Sequence, residues 1–368
     1  MEKSIRKSII KHGKSNWQKN KLKKIAKSGL YEVWYTIIDD IKNQQAFWIR
    51  YTLLVPREKV KIDKDKTMEE NIDALKGGGA DLWFAYFDAK APNSNFIIKK
   101  RYPLSNVEGS INMKDNTFRI IKIEESEIFI DKMHGNFKTA SGIDVAWDLE
   151  FSHFQEAYVS VPGWSKTLGI NPTLLRGLHS NMRISGKIKF KGKAVQLSET
   201  PGIQYHTFGD RYANPWVWAS AHTFKENEDI WLDLGYKKDI EKASMGFFDG
   251  KTEFLKNKVH LMKKIKCVSS PTKASAEVEG KNVKVSAKFT VPKESLLGIE
   301  YLGPRGNRLY CYNSEVASCV LTYAYKQEDG SFGQEREIHA EDSVAFETLY
   351  KEPLPELDYL PWDAEENN

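Results

Sequence analysis

From Tyr31 onward, apolar and polar positions alternate with the period of two that a strand with one buried face requires. The runs YEVWYTII (31–38), AFWIRYTLLV (46–55) and DLWFAYFDA (81–89) are aromatic and β-branched, of strand length, and bounded by turn-forming or polar residues. Between the second and third lies DKTMEENIDALKGGG, where Thr67 and Glu70 have capping-box spacing, Met68, Ile72 and Leu75 share one helical face, and Gly77 supplies a stop. One short helical insertion is expected there. Downstream, hairpin turns are signalled at Asp115-Asn116, Lys191-Gly192, Asp249-Gly250, Gly280 and Asp329-Gly330, whose residues tolerate the positive φ of tight turns. The pattern predicts an all-β chain of antiparallel strands and excludes a doubly wound α/β fold, because long helices never alternate with the strands.

Two stretches break the rhythm. Residues 161–181 (VPGWSKTLGINPTLLRGLHSN) read as a long loop or short helix at a barrel end, and Pro201-Gly202 marks a boundary near residue 200. The expected organisation is a basic leader over 1–28, one barrel over 29–200, a second over 201–350 and an acidic tail over 351–368. The leader places Ile5, Ile9 and Ile10, then Leu22, Ile25 and Ala26, at helical spacings broken by Gly13. It reads either as a solvated segment packed loosely on the body or as a basic helix making peripheral contact with an anionic membrane. Three prolines and six acids make the tail an extended arm that Leu354, Leu357, Tyr359 and Trp362 can pin.

Composition narrows the function classes. A chain of 368 residues fits two ordinary domains, and 12% aromatic with 29% charged residues describes a globular protein. Residues 1–30 hold ten Lys or Arg against one Glu and residues 351–368 one Lys against six acids, so that of the net charge of +5 only about +1 is left for the body between them, a poor match for nucleic acid. Neither a secretory h-region nor an apolar run of membrane-spanning length occurs, so a cytoplasmic location is expected. Cys267, Cys311 and Cys319 lack CxxC spacing, and His134, His153, His179 and His339 are scattered; no metal or other cofactor is signalled.

The densest chemistry lies between Gln204 and Tyr236, with His206, Asp210, His222, Asp233 and three tryptophans. Together with YLGPRGNRLYCYNSEVASCVL and the aromatic strands above, the run YHTFGDRYANPWVWASAHTF resembles the tandem lipocalin-like proteins that group with carotenoid 1,2-hydratases, tocopherol cyclases, lipocalin-type Diels–Alderases and survival-factor-like proteins. The resemblance covers roughly residues 31–350 and implies two lipocalin-like β-barrels handling an apolar molecule. In the hydratases a His-x-Trp-Gly motif and a later Tyr-x-Asp motif are implicated in protonating an isoprenoid double bond. His206 to Gly209 matches the first with Phe208 in place of Trp, and Trp231 to Asp233 matches the second with Trp231 in place of Tyr.

The resemblance thus makes His206 and Asp233 the catalytic candidates, with Phe208, Trp231, Ala219, Ala221, Tyr212 and Trp218 as ligand-binding candidates. Asp210 reads as a turn or ion-pair carboxylate, His222 as core, and Trp216 with Trp218 as packing or pocket wall. Register decides the surroundings of Asp233. Pairing Phe224 with Ile230 across a five-residue loop sets Trp231 and Asp233 beside Val217, Ala219 and Ala221, whereas a slip of one residue sets Asp233 near Ser220 and His222. The first arrangement is preferred here, since small residues beside an acid leave room for a ligand. Three functions follow: a carrier that binds a lipid or other apolar small molecule, an enzyme of acid-assisted hydration or cyclisation acting on an isoprenoid or polyketide-like substrate, and a non-catalytic scaffold.

Overall fold

The aromatic and β-branched runs of residues 30–55 are realised as two long strands, Leu30–Asp40 and Gln45–Val55, paired antiparallel from Leu30 opposite Val55 to Asp40 opposite Gln45. The computed structural model describes residues 1–114, 117–160, 173–212, 215–250 and 265–366. Gly79–Asp88 and Phe96–Tyr102 extend the sheet on one side. On the other side Leu30–Asp40 pairs with Lys193–Gly209, then come Thr173–Phe190, Asp144–Ser152 and Lys132–Lys138, within a curled 13-stranded sheet. A second sheet, of ten strands among the described residues and antiparallel but for its short last strand, is built from Trp216 onward, with Trp216–Ala221 between Ile230–Lys237 and Arg336–Tyr350. The chain is an all-β pair of large curled sheets.

Burial explains why the central strands are apolar on both faces. Trp34, Ile38, Phe47, Ile49 and Tyr51 enter the core of the first sheet, while Tyr31, Val33, Ile37 and Trp48 enter a separate core between the sheets. A strand buried on both faces reads as a continuous apolar run instead of an alternating one. Within the first sheet, Phe190 lies 4.9 Å from Tyr86, 5.6 Å from Phe84 and 5.8 Å from Phe47 between ring centroids. The hollow a barrel offers to a ligand is filled there by the protein's own rings.

The capping box forms as expected: Thr67 N donates to Glu70 Oε2 at 2.7 Å and Glu70 N donates to Thr67 Oγ1 at 3.2 Å, starting the helix Met68–Asp73. Lys191 and Gly192, both at positive φ, close the turn between Phe190 and Lys193. The Asp115-Asn116 turn and the exit from Asp249-Gly250 lie outside the described residues. Three expectations are corrected. Residues 173–181, read as loop or helix, are strand; residues 161–172 lie outside the described set. The chain leaves the first sheet after Gly209, not near 200, because Gly202–Gly209 pair with Leu30–Asp40. The leader is not loosely packed.

In the leader, helices Lys3–Gly13 and Leu22–Ser28 bury Ile9, Leu22 and Ala26, with Trp17 buried between them, against the core of the first sheet. Ile5, Ile10 and Ile25 are half-buried on the same surface. With its apolar stripe so covered, the docked leader does not offer that stripe to a bilayer. At Gly13 the leader comes close to the sheet: a Cβ there would stand 3.1 Å from Ile120 and 3.2 Å from Leu178. No helix among the described residues is long and apolar enough to cross a membrane. At the other end, Tyr359–Leu360 pairs parallel with Gly298 and Ile299 of the second sheet, Leu360 and Trp362 are buried between the sheets, and Glu365 meets Lys100 at 2.8 Å.

Candidate functional site

His206 and Tyr205 are neighbours on one strand, so their side chains leave by opposite faces. The His206 face turns into the first sheet, where its ring lies parallel to Trp34 at 4.7 Å and beside Phe208 at 4.9 Å. Its Nδ1 donates to the His12 carbonyl at 2.7 Å and its Nε2 to Glu32 Oε1 at 2.9 Å. Both ring nitrogens are thus engaged, one by the leader's backbone and the other by a buried carboxyl group. Glu32 also accepts from Ser15 Oγ at 3.0 Å, Asn16 N at 2.8 Å and Asn16 Nδ2 at 2.7 Å. Trp34 Nε1 donates to Gly13 O at 3.0 Å. The histidine of the motif is thus engaged by the leader and faces no cavity.

Asp233 belongs to a different place. The observed register sets Ser220 opposite Asp233 and Ala219 opposite Leu234, one residue away from the preferred alignment. Asp233 therefore shares a face with Trp218 and Ser220, and Ala219 and Ala221 point the other way, into the core of the second sheet. Its Oδ2 accepts from Trp218 Nε1 at 2.8 Å and from the Tyr205 hydroxyl at 2.9 Å, while Oδ1 has no partner. Burial pushes this carboxyl up to about 6, against the pull of those two donors. The expected His206–Asp233 pair does not form, since the sheet through Tyr205 separates them.

The remaining candidates divide. Trp231 packs on Tyr158 at 5.3 Å and donates from Nε1 to Gln155 Oε1 at 3.0 Å, an inter-sheet contact. Phe208 lies against His206 and lines an open cleft beside the leader. Tyr212 and Trp218 line a cavity of about 50 Å³ between the two sheets. Asp210 forms an ion pair with Arg305 at 2.6 Å. His222 lies 2.9 Å from Asp39 across the same seam, close enough for an ion pair but at angles outside hydrogen-bond geometry.

The inter-sheet cavity gathers chemistry that no motif pointed to. Tyr212 stacks between Tyr31 at 4.0 Å and Tyr301 at 5.6 Å, and Trp218 meets Tyr35 edge-on at 5.6 Å. Arg50 reaches the cavity from the first sheet, donating to Thr52 Oγ1 at 2.9 Å and to the Tyr301 hydroxyl. Glu347 accepts from Trp216 Nε1 at 2.7 Å. Glu315 is 2% exposed and lines the cavity with no hydrogen bond or ion pair among the described residues, its Oε2 sealed from solvent. It sits in a bulge, since register shifts between Ser314 and Ala317, and bulges re-aim side chains in this way. Burial, with the carboxylates of Asp39 and Glu347 nearby, pushes Glu315 well above the usual carboxylate range. Burial likewise raises Glu347.

Glu315 thus presents a carboxyl that burial pushes toward its protonated form, and it faces an aromatic box that a guanidinium enters from the other side. At about 50 Å³ the space takes only about three or four water-sized groups. Among the described residues, no three His, Cys, Asp or Glu side chains converge to hold a metal ion. The one sequence signal for this site is a charged residue inside an apolar strand, Arg50 in AFWIRYTLLV and Glu315 in YNSEVASCVL.

No family model and no curated protein matches this chain. Among solved structures, it is similar to a Nitrosomonas europaea protein described as AttH, at 11% identity and a TM-score of 0.45 over 86% of this chain and 92% of the other. CghA matches at 7% identity and a TM-score of 0.45 over 88% of each chain. Kievitone hydratase from Nectria haematococca matches at 9% identity and a TM-score of 0.42 over 89% of this chain and 91% of the other.

Proposed function

We propose that the chain binds a compact, unsaturated, carbonyl-bearing molecule between its two sheets and acts on it by acid-assisted addition, with Glu315 as the proton donor. The observation that carries this reading is the buried carboxyl of Glu315 on the cavity wall, whose Oε2 has no hydrogen-bond partner among the described residues. An uncompensated buried acid costs stability, and such groups concentrate at functional sites. Arg50 in the opposite wall disfavours a bare carbocation and favours oxygen that becomes negative, which selects a conjugated carbonyl over an isoprenoid hydrocarbon. In a hydration, water adds to the β-carbon and the enolate oxygen rests on Arg50 and Tyr301. Glu315 then gives its proton to the α-carbon and recovers one from the added water.

The same cavity suits a carrier that leaves its guest unchanged, and Glu315 distinguishes the two. Native mass spectrometry with solvent extraction should identify what co-purifies, and Glu315→Gln should lower its conversion by about 10²–10⁴-fold while the variant melts no lower than the parent. Val33→Trp fills the cavity and should abolish co-purification. Retention of the compound by Val33→Trp removes the inter-sheet site from consideration; full binding with no conversion by either protein leaves the carrier.

A further inference from the structure

A second cavity, about 700 Å³ and open to solvent, lies between the leader and the first sheet. Six cationic side chains line it: Lys11, Lys14, Lys21 and Lys24 from the leader, and Arg176 and Arg211 from the body. The carboxylate on its wall, Asp210, is already held by Arg305 at 2.6 Å. Among the described residues none of the six has a carboxylate within ion-pair distance.

Arg176 is the distinctive member. It is half-buried, with the Phe208 ring 5.7 Å from its guanidinium carbon and Nη1 donating to His12 Nδ1 at 2.7 Å. Burial, reinforced by Arg176 and Lys11, pushes His12 down to about 4, so at neutral pH His12 is an uncharged acceptor that leaves the guanidinium uncompensated. A guanidinium drawn partly out of water without a counter-charge is costly, and six like charges around one cleft repel. A dense anion removes both costs, and a planar donor fork with flexible ammonium groups over it is the donor set that phosphate takes.

We propose that this cleft binds a phosphorylated group, with Arg176 at its base and the leader lysines closing over it. The leader supplies four of the six charges, so a bound phosphate bridges leader and body and tightens their contact. The site is separate from the inter-sheet cavity, and its test does not depend on any role of Glu315.

The soluble probe is inorganic pyrophosphate, titrated calorimetrically into the full chain at fixed ionic strength. The membrane probe is phosphatidylcholine vesicles containing phosphatidic acid, read by co-sedimentation. The wild-type chain should bind pyrophosphate and gain protection of its leader from trypsin. Arg176→Gln should weaken binding about tenfold or more, as loss of a charge-assisted contact does. Lys14→Glu/Lys24→Glu changes only exposed positions, keeps the fold, and should weaken binding at least as much. Binding to vesicles alone, lost in both variants, assigns the phosphate to a lipid headgroup and supports the site. Binding to neither probe, or binding that the lysine double variant retains in full, overturns it.

Discussion

Replacing Glu32 by alanine should cost about 3–5 kcal/mol of stability, the range for breaking a buried ion pair from one side, and should free the leader. Glu32 is fully buried and accepts from Ser15, from Asn16 twice over, and from His206. Alanine leaves the Ser15 and Asn16 donors without that acceptor and His206 Nε2 without its partner beneath the leader. Chemical denaturation should give the loss, and trypsin should cut the variant first in the leader, after Lys19 or Lys21, while the sheets remain intact. A variant whose leader stays as protected as in the parent would show that Trp17, Leu22 and Ala26 hold it without the carboxylate. Glu32→Gln should fall between the two, because an amide keeps one acceptor and loses the charge.

Asp233→Asn should flatten the dependence of stability on pH between about 4 and 7. The carboxyl is raised in the folded chain to about 6 from 3.8, so the folded state holds its proton over a range where the unfolded chain has released it. The stability tied to the protonated form is complete below 3.8 and is lost as pH rises through about 6. Two units correspond to roughly 2–3 kcal/mol. Asparagine keeps one oxygen for Trp218 Nε1 and the Tyr205 hydroxyl, and any packing cost it brings is independent of pH. Comparing the slopes of the two proteins, and not their stabilities at one pH, therefore isolates the carboxyl. The buried acids Asp39, Glu315 and Glu347 bend the profile in the same direction in both proteins, so the difference between the slopes belongs to position 233. Parallel profiles would mean that Asp233 is ionised in the fold throughout.

Much of the architecture was legible because it rests on local pattern. The runs that became Leu30–Asp40, Gln45–Val55 and Gly79–Asp88 carry their own strand composition, and the capping box of Thr67 and Glu70 is a four-residue device. The site was less legible. The motif residues His206 and Asp233 stand out in sequence, yet His206 serves the leader and Asp233 braces Trp218 and Tyr205 behind the cavity wall. A single-residue slip between Trp216–Ala221 and Ile230–Lys237 exchanged the faces and moved Ala219 and Ala221 from expected pocket to core. Loop length alone does not fix such a register; here the matching of Val217, Ala219, Leu232 and Leu234 to one core does.

By itself, then, the sequence determined the all-β class, the short capped helix, the basic leader and acidic tail, and the positions where charge interrupts apolar strands. These depend on neighbours within a few residues, where side-chain period and turn chemistry act directly. Only the tertiary structure decided that Arg50 and Glu315, 265 positions apart in the chain, face one cavity, and that Lys14 and Arg176 share one cleft. It also decided that Glu32 is the seat of the leader. Those meetings depend on how two curled sheets pack and how the leader crosses the first of them, and the free energy that selects such packing is spread over three apolar cores that no short segment contains.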